Sequence, residues 1–417
     1  MRPTGRLHIG HFFGALANWT RMQSSYECFF FVADWHALTS DYADTSAIAQ
    51  NSIEIATDWL ASGLDPAQCT MFLQSQVPEH AELQLLLSMV TPLGWLERVP
   101  TYKEALENIK GKDLHTLGFL GYPVLQTADI AMYGAADSPV LVPVGEDQVS
   151  HVELSREILR KMNFHFGLKI DVAEMSKPAN YSAVDVLWRT FHGKPGGWQV
   201  PTESTGNIER LASGLRRTAM EDGLENFLDR VDVWVKANPI VQQFIRIDRV
   251  FSEPDAMLTQ TPRIPGTDGR KMSKSYNNFI SLSEDDDSIR KKTRAMVTDP
   301  ARKRREDVGN PDVCPVFDWH KLFSTPEVIQ RIRRDCTTAA IGCVDCKQVV
   351  ADALIKWIEP VRERRRAFEA KPAEVLGILD EGSKKARAVA TSTMERVREA
   401  VFGWKKTRES ISSKAGS

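Results

Sequence analysis

Long apolar runs are missing from this 417-residue chain. No stretch approaches the roughly 20 apolar residues needed to cross a bilayer as a helix, so an integral helical membrane protein is excluded. The opening "MRPTGRLHIG" has no apolar core and does not read as a secretory leader. Six cysteines are too few for a disulfide framework in a chain of this size. The expected setting is cytosolic and reducing, with no membrane partner, where clustered thiols bind metal or do redox work. Internal repeats are also lacking, which excludes solenoids and propellers.

The composition that remains is ordinary for a globular protein, with 42% hydrophobic and 26% charged residues. Charge is nearly balanced at −2 but unevenly spread. From Ile289 onward there are 28 Lys and Arg against 18 Asp and Glu, whereas the first 288 residues hold 25 against 37. Single runs such as "ARKRRED" and "VRERRRAF" read as solvated helix faces. A whole basic half beside an acidic half points to a polyanionic partner.

"CFFFVADWHALTS" reads as a buried strand ending in a loop, and "CTMFLQSQ" and "SPVLVPVG" as two more. Near-continuous apolar strands suit a parallel sheet covered on both faces. Residues 46–62 and 79–96 carry helical apolar stripes between them. Strands alternating with helices predict an α/β fold with a doubly wound parallel sheet. Leu224, Phe227, Leu228, Val231 and Val235 form another helical stripe, after a loop at "HGKPGGWQVP". Beyond about residue 290 the pattern is almost wholly helical. Two long amphipathic segments there are joined by the Pro-bearing "KPAEVLGIL", and residues 406–417 are expected to be a disordered tail.

Two short stretches carry the chemistry. In "PTGRLHIGH", Gly5 and Gly10 let backbone approach a ligand closely, and His8 and His11 share one face at a helix start. Helix starts bind phosphate. In "GRKMSKSYNN", Lys271 and Lys274 flank a small flexible stretch, which suits a pyrophosphate leaving group. Either stretch alone is ambiguous. Together, His-x-Gly-His and Lys-Met-Ser-Lys-Ser are the signature pair of class I aminoacyl-tRNA synthetases.

"FVADWHALTS", "GYPVLQTADIAMY" and "LVPVGEDQVSHVELSREI" narrow the match: residues 1–166 and 251–403 resemble the tryptophanyl-tRNA synthetase family. The resemblance implies a Rossmann-type catalytic domain followed by an all-helical anticodon-binding domain. It implies ATP and Mg²⁺, L-tryptophan and tRNA(Trp) as ligands and partners, in a homodimer. His8, His11, Lys271 and Lys274 would be catalytic. ATP would lie on Arg2, Pro3, Thr4, Gly10 and His11, on Gly145, Glu146 and Asp147, on Ile264, and on Lys271, Met272, Ser273, Lys274 and Ser275. Asp129 would accept the indole N–H, with His36, Tyr122, Gln126 and Gln148 lining that pocket. Tyr122, Gln126 and Asp129 also match the tyrosine-reading triad of the sibling tyrosyl family, so this motif does not discriminate. "VPVGEDQ" and "VADWHALT" favour tryptophan. A non-catalytic RNA-binding or regulatory relative would be expected to lose the phosphate-handling groups, and both signatures are intact.

Cys314, Cys336, Cys343 and Cys346 follow the spacing Cys-x21-Cys-x6-Cys-x2-Cys. Small buried hydrophobes and a zinc site remain open readings, although zinc commonly uses two paired knuckles. A four-thiolate [4Fe–4S] cluster tolerates irregular spacing. A branch of the resembled family carries such a cluster near its anticodon-binding region, at nearly this spacing. Cys28 and Cys69 fall in strands and are expected in the core.

Two departures stand out. The family carries a strand ahead of the first signature, so a start upstream of Met1 is expected. Residues 168–250 look inserted, with no function assignable. The expected plan is thus 1–167 catalytic, 168–250 insertion, 251–288 catalytic remainder with the lysine loop, and 289–405 helical with the four cysteines.

Overall fold

Cys28–Val32 (β1) and Cys69–Leu73 (β2) pair in parallel, Cys28 opposite Cys69 and Val32 opposite Leu73. Both cysteines are buried. The computed structural model describes residues 1–108, 111–136, 138–192, 205–222, 227, 244–258 and 264–415. The first signature enters through helical turns at Ile9–His11, Phe12–Leu16 in π geometry, and Ala17–Met22. Asp34–Asp41 (α1) follows β1, and Ile48–Ala61 (α2) leads to β2. Met1 lies beside β1: its carbonyl accepts Ala33 N–H at 2.8 Å and its nitrogen donates to Phe31 C=O at 2.6 Å.

Glu79–Ser88 (α3) and Leu93–Leu96 (α4) replace the single helix expected over 79–96. Pro92 is extended at ψ 132° and disfavours a helical residue before it, which breaks the run. Tyr122–Met132 (α5), Val140–Val144 (β3) and Val149–Met162 (α6) follow. Leu168–Ile170 (β4) and the later Ile245–Ile247 (β5) form an antiparallel stem. Between them lie Tyr181–His192 (α7) and Thr205–Asp222 (α8). Of the helical stripe expected here, only Phe227 falls within the described residues, and it is buried; the loop at 193–201 also falls outside them. Pro254–Leu258 (β6) returns to pair in parallel with β3.

The rest is helical: Asp286–Arg294 (α9), Pro315–Phe323 (α10), Pro326–Thr337 (α11), Cys343–Glu369 (α12), Pro372–Phe402 (α13) and Trp404–Ala415 (α14). The "KPAEVLGIL" linker is instead the start of α13. Pro372 opens that helix, where its missing N–H costs nothing. The tail expected to be disordered is α14, a helix re-started after Gly403 at φ +63°. No helix among the described residues is long and apolar enough to cross a membrane.

One buried cluster joins Leu7, Ile9, Trp59 and Met71 to Trp319, Leu354 and Ile358, across the boundary expected near residue 288. A second places Ala386, Ala390, Met394 and Val397 of α13 against Phe72 and Met132. Gly382 permits this approach, because a Cβ there would stand 1.8 Å from the Met71 carbonyl oxygen. The inserted segment has its own cluster, with Val184, Leu187, Ile208, Leu211 and Leu215 fully or almost fully buried.

Candidate active site

The parallel strands end at the site. Ala33 to His36 follow β1, Gln74 and Ser75 follow β2, and Gly145 follows β3. Carboxyl ends of parallel strands are where open α/β sheets bind ligands. Asp34 ties two of these ends together by accepting Ser75 N–H at 3.0 Å.

The two signatures meet. Lys274 Nζ donates to Thr4 C=O at 2.8 Å and Gly5 C=O at 2.9 Å, across 270 residues of sequence. Leu282 N–H to Leu7 C=O (2.9 Å) and Ile9 N–H to Ile280 C=O (3.0 Å) clamp the first signature to the chain just past the second. His8 and His11 stack with ring centroids 3.7 Å apart. Gly10 makes room for this, since a Cβ would lie 2.9 Å from the His8 ring. Burial first, then the neighbouring cations, hold His8 down at about 3 and His11 at about 4. Both rings are therefore neutral at physiological pH. His8 Nδ1 is buried without a protein partner, a group aimed at nothing the chain supplies. Burial also lowers the Lys274 ammonium, while Asp58 opposes that shift.

Sequence reasoning missed Asn278. It is buried and staples the lysine loop, accepting Ser273 N–H (2.8 Å) and donating to Asp268 (2.7 Å) and Lys271 C=O (3.1 Å). Lys271 itself is exposed, and Met272 and Ile264 are buried. Arg2 pairs with Asp41 at 3.1 Å, beside buried Pro3. At the other rim, Glu146 and Asp147 are exposed in a turn closed by Gln148 N–H to Gly145 C=O at 3.0 Å.

Asp129 is the centre of the second half. It is buried on α5 and receives His36 Nε2 at 2.8 Å, Gln74 Nε2 at 2.7 Å and His80 Nδ1 at 2.6 Å. Burial alone would raise this carboxyl, but the hydrogen bonds from His36 and His80 outweigh it and hold it at about 2. His80 continues to Tyr133 OH at 2.7 Å. Gln74, His80 and Tyr133 were not anticipated. The signal was available for Gln74, because it follows directly on the carboxyl end of β2. Tyr122, at the start of α5 and two turns before Asp129, joins a different network: its hydroxyl meets Thr101 Oγ1 at 2.6 Å, and Thr101 meets His151 at 2.8 Å. Gln148 gives its amide to Asp147 at 3.2 Å. Among the described residues no hydrogen bond links Tyr122, Gln126 or Gln148 to Asp129.

The four cysteines also converge. Cys314 caps α10, Cys336 sits on α11, and Cys343 and Cys346 open α12. All four line one small cavity with Asp299, Arg302 and Ile341. Burial, reinforced by the other three thiols, pushes Cys346 up to about 12. Arg302 Nη1 lies 3.8 Å from Cys336 Sγ, and His320 Nε2 3.4 Å from Cys346 Sγ. Among the described residues no three such side chains stand in metal-coordinating geometry.

A family described as tRNA synthetases class I (W and Y) matches residues 1–179 and 234–359, so the gap falls inside the span expected as an insertion. The tryptophan–tRNA ligase of Ralstonia nicotianae is 44% identical over 412 residues, covering 96% of each chain. That of Thermotoga maritima is 40% identical over 403 residues, covering 96% of this chain and 97% of the relative. The crystal structure of tryptophanyl-tRNA synthetase from Campylobacter jejuni complexed with ADP and tryptophan has a TM-score of 0.69 at 27% identity, covering 96% of this chain and 98% of that one. With its Rossmann-type α/β layers and helical second part, this chain belongs to the class I tRNA synthetases of the tryptophan and tyrosine family.

Proposed function

We propose that the chain is a tryptophan–tRNA ligase, which activates L-tryptophan with ATP and transfers it to tRNA(Trp). The observation that carries this is the contact of Lys274 with Thr4 and Gly5, which joins both phosphate-handling signatures in one site. The similarity to tryptophan–tRNA ligases over 96% of the chain supports tryptophan over tyrosine.

The tryptophan carboxylate attacks the α-phosphorus of ATP, and pyrophosphate leaves with its Mg²⁺, which enters as part of the nucleotide substrate. No protein nucleophile is needed, so the residues act by positioning and charge stabilisation. His8 and His11, kept neutral by burial, donate N–H to phosphoryl oxygens. Lys274 and Lys271 follow the charge that grows on pyrophosphate. Lys274 must leave two backbone carbonyls to do so. Gly145, Glu146 and Asp147 take the ribose and adenine. Asp129 accepts the indole N–H. A carboxylate offers about four acceptor positions, and Gln74, His80 and His36 fill three, so the indole takes the fourth, on Oδ2. Phenylalanine would leave that position unpaired and is rejected.

Cys314, Cys336, Cys343 and Cys346 would hold a [4Fe–4S] cluster, with zinc as the alternative. Four thiols facing one cavity, with Arg302 beside them, fit an anionic thiolate-bound centre. Such a centre would brace the anticodon-reading side. Exposed Leu85, Met89, Leu93 and Leu117 support a homodimer, whose mass in solution would be twice the 46.9 kDa chain rather than equal to it. Tryptophan-dependent exchange of labelled pyrophosphate into ATP tests the reading. Exchange driven by tyrosine, or by no amino acid, would sink it.

A further inference from the structure

The stem of the inserted segment and the end of α13 enclose a groove of about 780 Å³, apart from every residue of the active site. Six of its lining residues are basic: Lys169, Arg216, Arg246, Arg249, Arg396 and Lys406. Three are acidic, and each is already engaged. Asp171 accepts Glu174 N–H at 2.9 Å, Asp248 pairs with Arg246 at 3.1 Å, and Glu399 accepts the Lys405 and Lys406 N–H groups at 2.8 and 3.2 Å. Lys169 and Arg396 hold backbone carbonyls of Phe166 and Val250 at 2.8 and 3.0 Å. Arg216, Arg249 and Lys406 remain, all exposed and with no ion pair to a described residue. They come from α8, the β5–β6 connection and α14, three separate elements facing one groove. Phe402 lines the same groove and is 54% exposed, and Trp404 beside it is 60% exposed.

Cations with no ion pair to a described residue, spread along an open groove with exposed aromatic rings at its rim, match the chemistry of a nucleic-acid backbone. A small free anion would be better held by buried, converging donors. We infer that this groove binds the phosphate backbone of the tRNA, as a contact built by the insertion. This rests on the ligase reading above. The family match omits residues 180–233 and ends at 359, so Arg216 on one wall and Lys406 on the other both lie outside it.

The test is the triple variant Arg216→Glu, Arg249→Glu and Lys406→Glu in the full chain, with the triple alanine variant alongside. Binding of tRNA(Trp) is measured between 50 and 200 mM salt, with tryptophan-dependent pyrophosphate exchange and solution mass. The expected result is tRNA affinity at least about tenfold weaker and a salt slope shallower by about 2 to 3, the share of three phosphate contacts. Exchange and mass should not change. Trp404→Ala should weaken binding without altering the slope. Unchanged affinity and slope in both triple variants would overturn the inference. A changed mass with unchanged tRNA binding would overturn it too, and mark the face as a protein contact. Absent exchange in the unmodified enzyme would instead sink the ligase reading.

Discussion

Lys274 donates to two carbonyls of the first signature, yet the work proposed for it lies on the leaving pyrophosphate. An interaction made mainly in the transition state shows in kcat, not in ground-state binding. Lys274→Ala is therefore expected to lower kcat for adenylation far more than ATP affinity. Normal kcat with weakened ATP binding would contradict the role. Asp129→Ala removes the acceptor proposed for the indole N–H and strands Gln74, His36 and His80. An unpaired buried donor costs roughly 1–3 kcal/mol, so tryptophan activation should fall at least tenfold. Unchanged activation kinetics would place the indole elsewhere. His8 and His11 titrate well below the ordinary 6.5 because they are buried beside cations. The unfolded chain binds more protons than the folded one between about 4 and 6.5. Their contribution is thus complete above 6.5 and lost as pH falls toward 4. Denaturation measured from pH 7 to 4.5 should show that loss, and His11→Asn should flatten it. Equal slopes would mean that the rings titrate normally.

At the scale of elements, α10, α11 and α12 bring four cysteines to one cavity although 33 residues of chain contain them. Burial, and then the crowding of the other three thiols, pushes Cys346 up to about 12 and disfavours its ionisation. A bound metal centre would reverse that by stabilising thiolates. Protein purified without oxygen is expected to be brown, with about four irons per chain. Cys346→Ser should bleach it and weaken tRNA binding while leaving adenylation largely intact. Colourless protein with one zinc would select the other metal, and loss of adenylation alone would move the centre's role to the catalytic side.

On the scale of the whole molecule, Arg365 of α12 is buried against Asp58 and Glu54 of α2, and Asp58 also accepts Leu7 N–H at 2.6 Å. The helical part thereby holds the backbone next to His8. Arg365→Met leaves Asp58 buried and unpaired, which costs about 3–5 kcal/mol. The urea midpoint should drop accordingly, and the KM for ATP should rise because the signature loop loses its anchor. A stable variant with an unchanged KM would show that α12 and the ATP loop are independent.

Much of this was legible in the chain itself. Apolar runs marked β1, β2 and β3, since a covered strand must be largely apolar, although β3 is only half-buried, with Leu141 exposed. The two signatures were readable because their residue types and spacings are distinctive in the linear order, and Lys274 brings them together; Asp129 was singled out by the resemblance, and its role is the proposal made above. What the linear order could not contain was decided by packing. Asn278, Gln74, His80 and Arg365 act through partners far away in sequence, and α14 is a helix where local composition read as disorder. The breadth of the basic groove is of the same kind: Arg216 and Lys406 are 190 positions apart in the numbering, and only the fold of the insertion against α13 sets their charges on one surface.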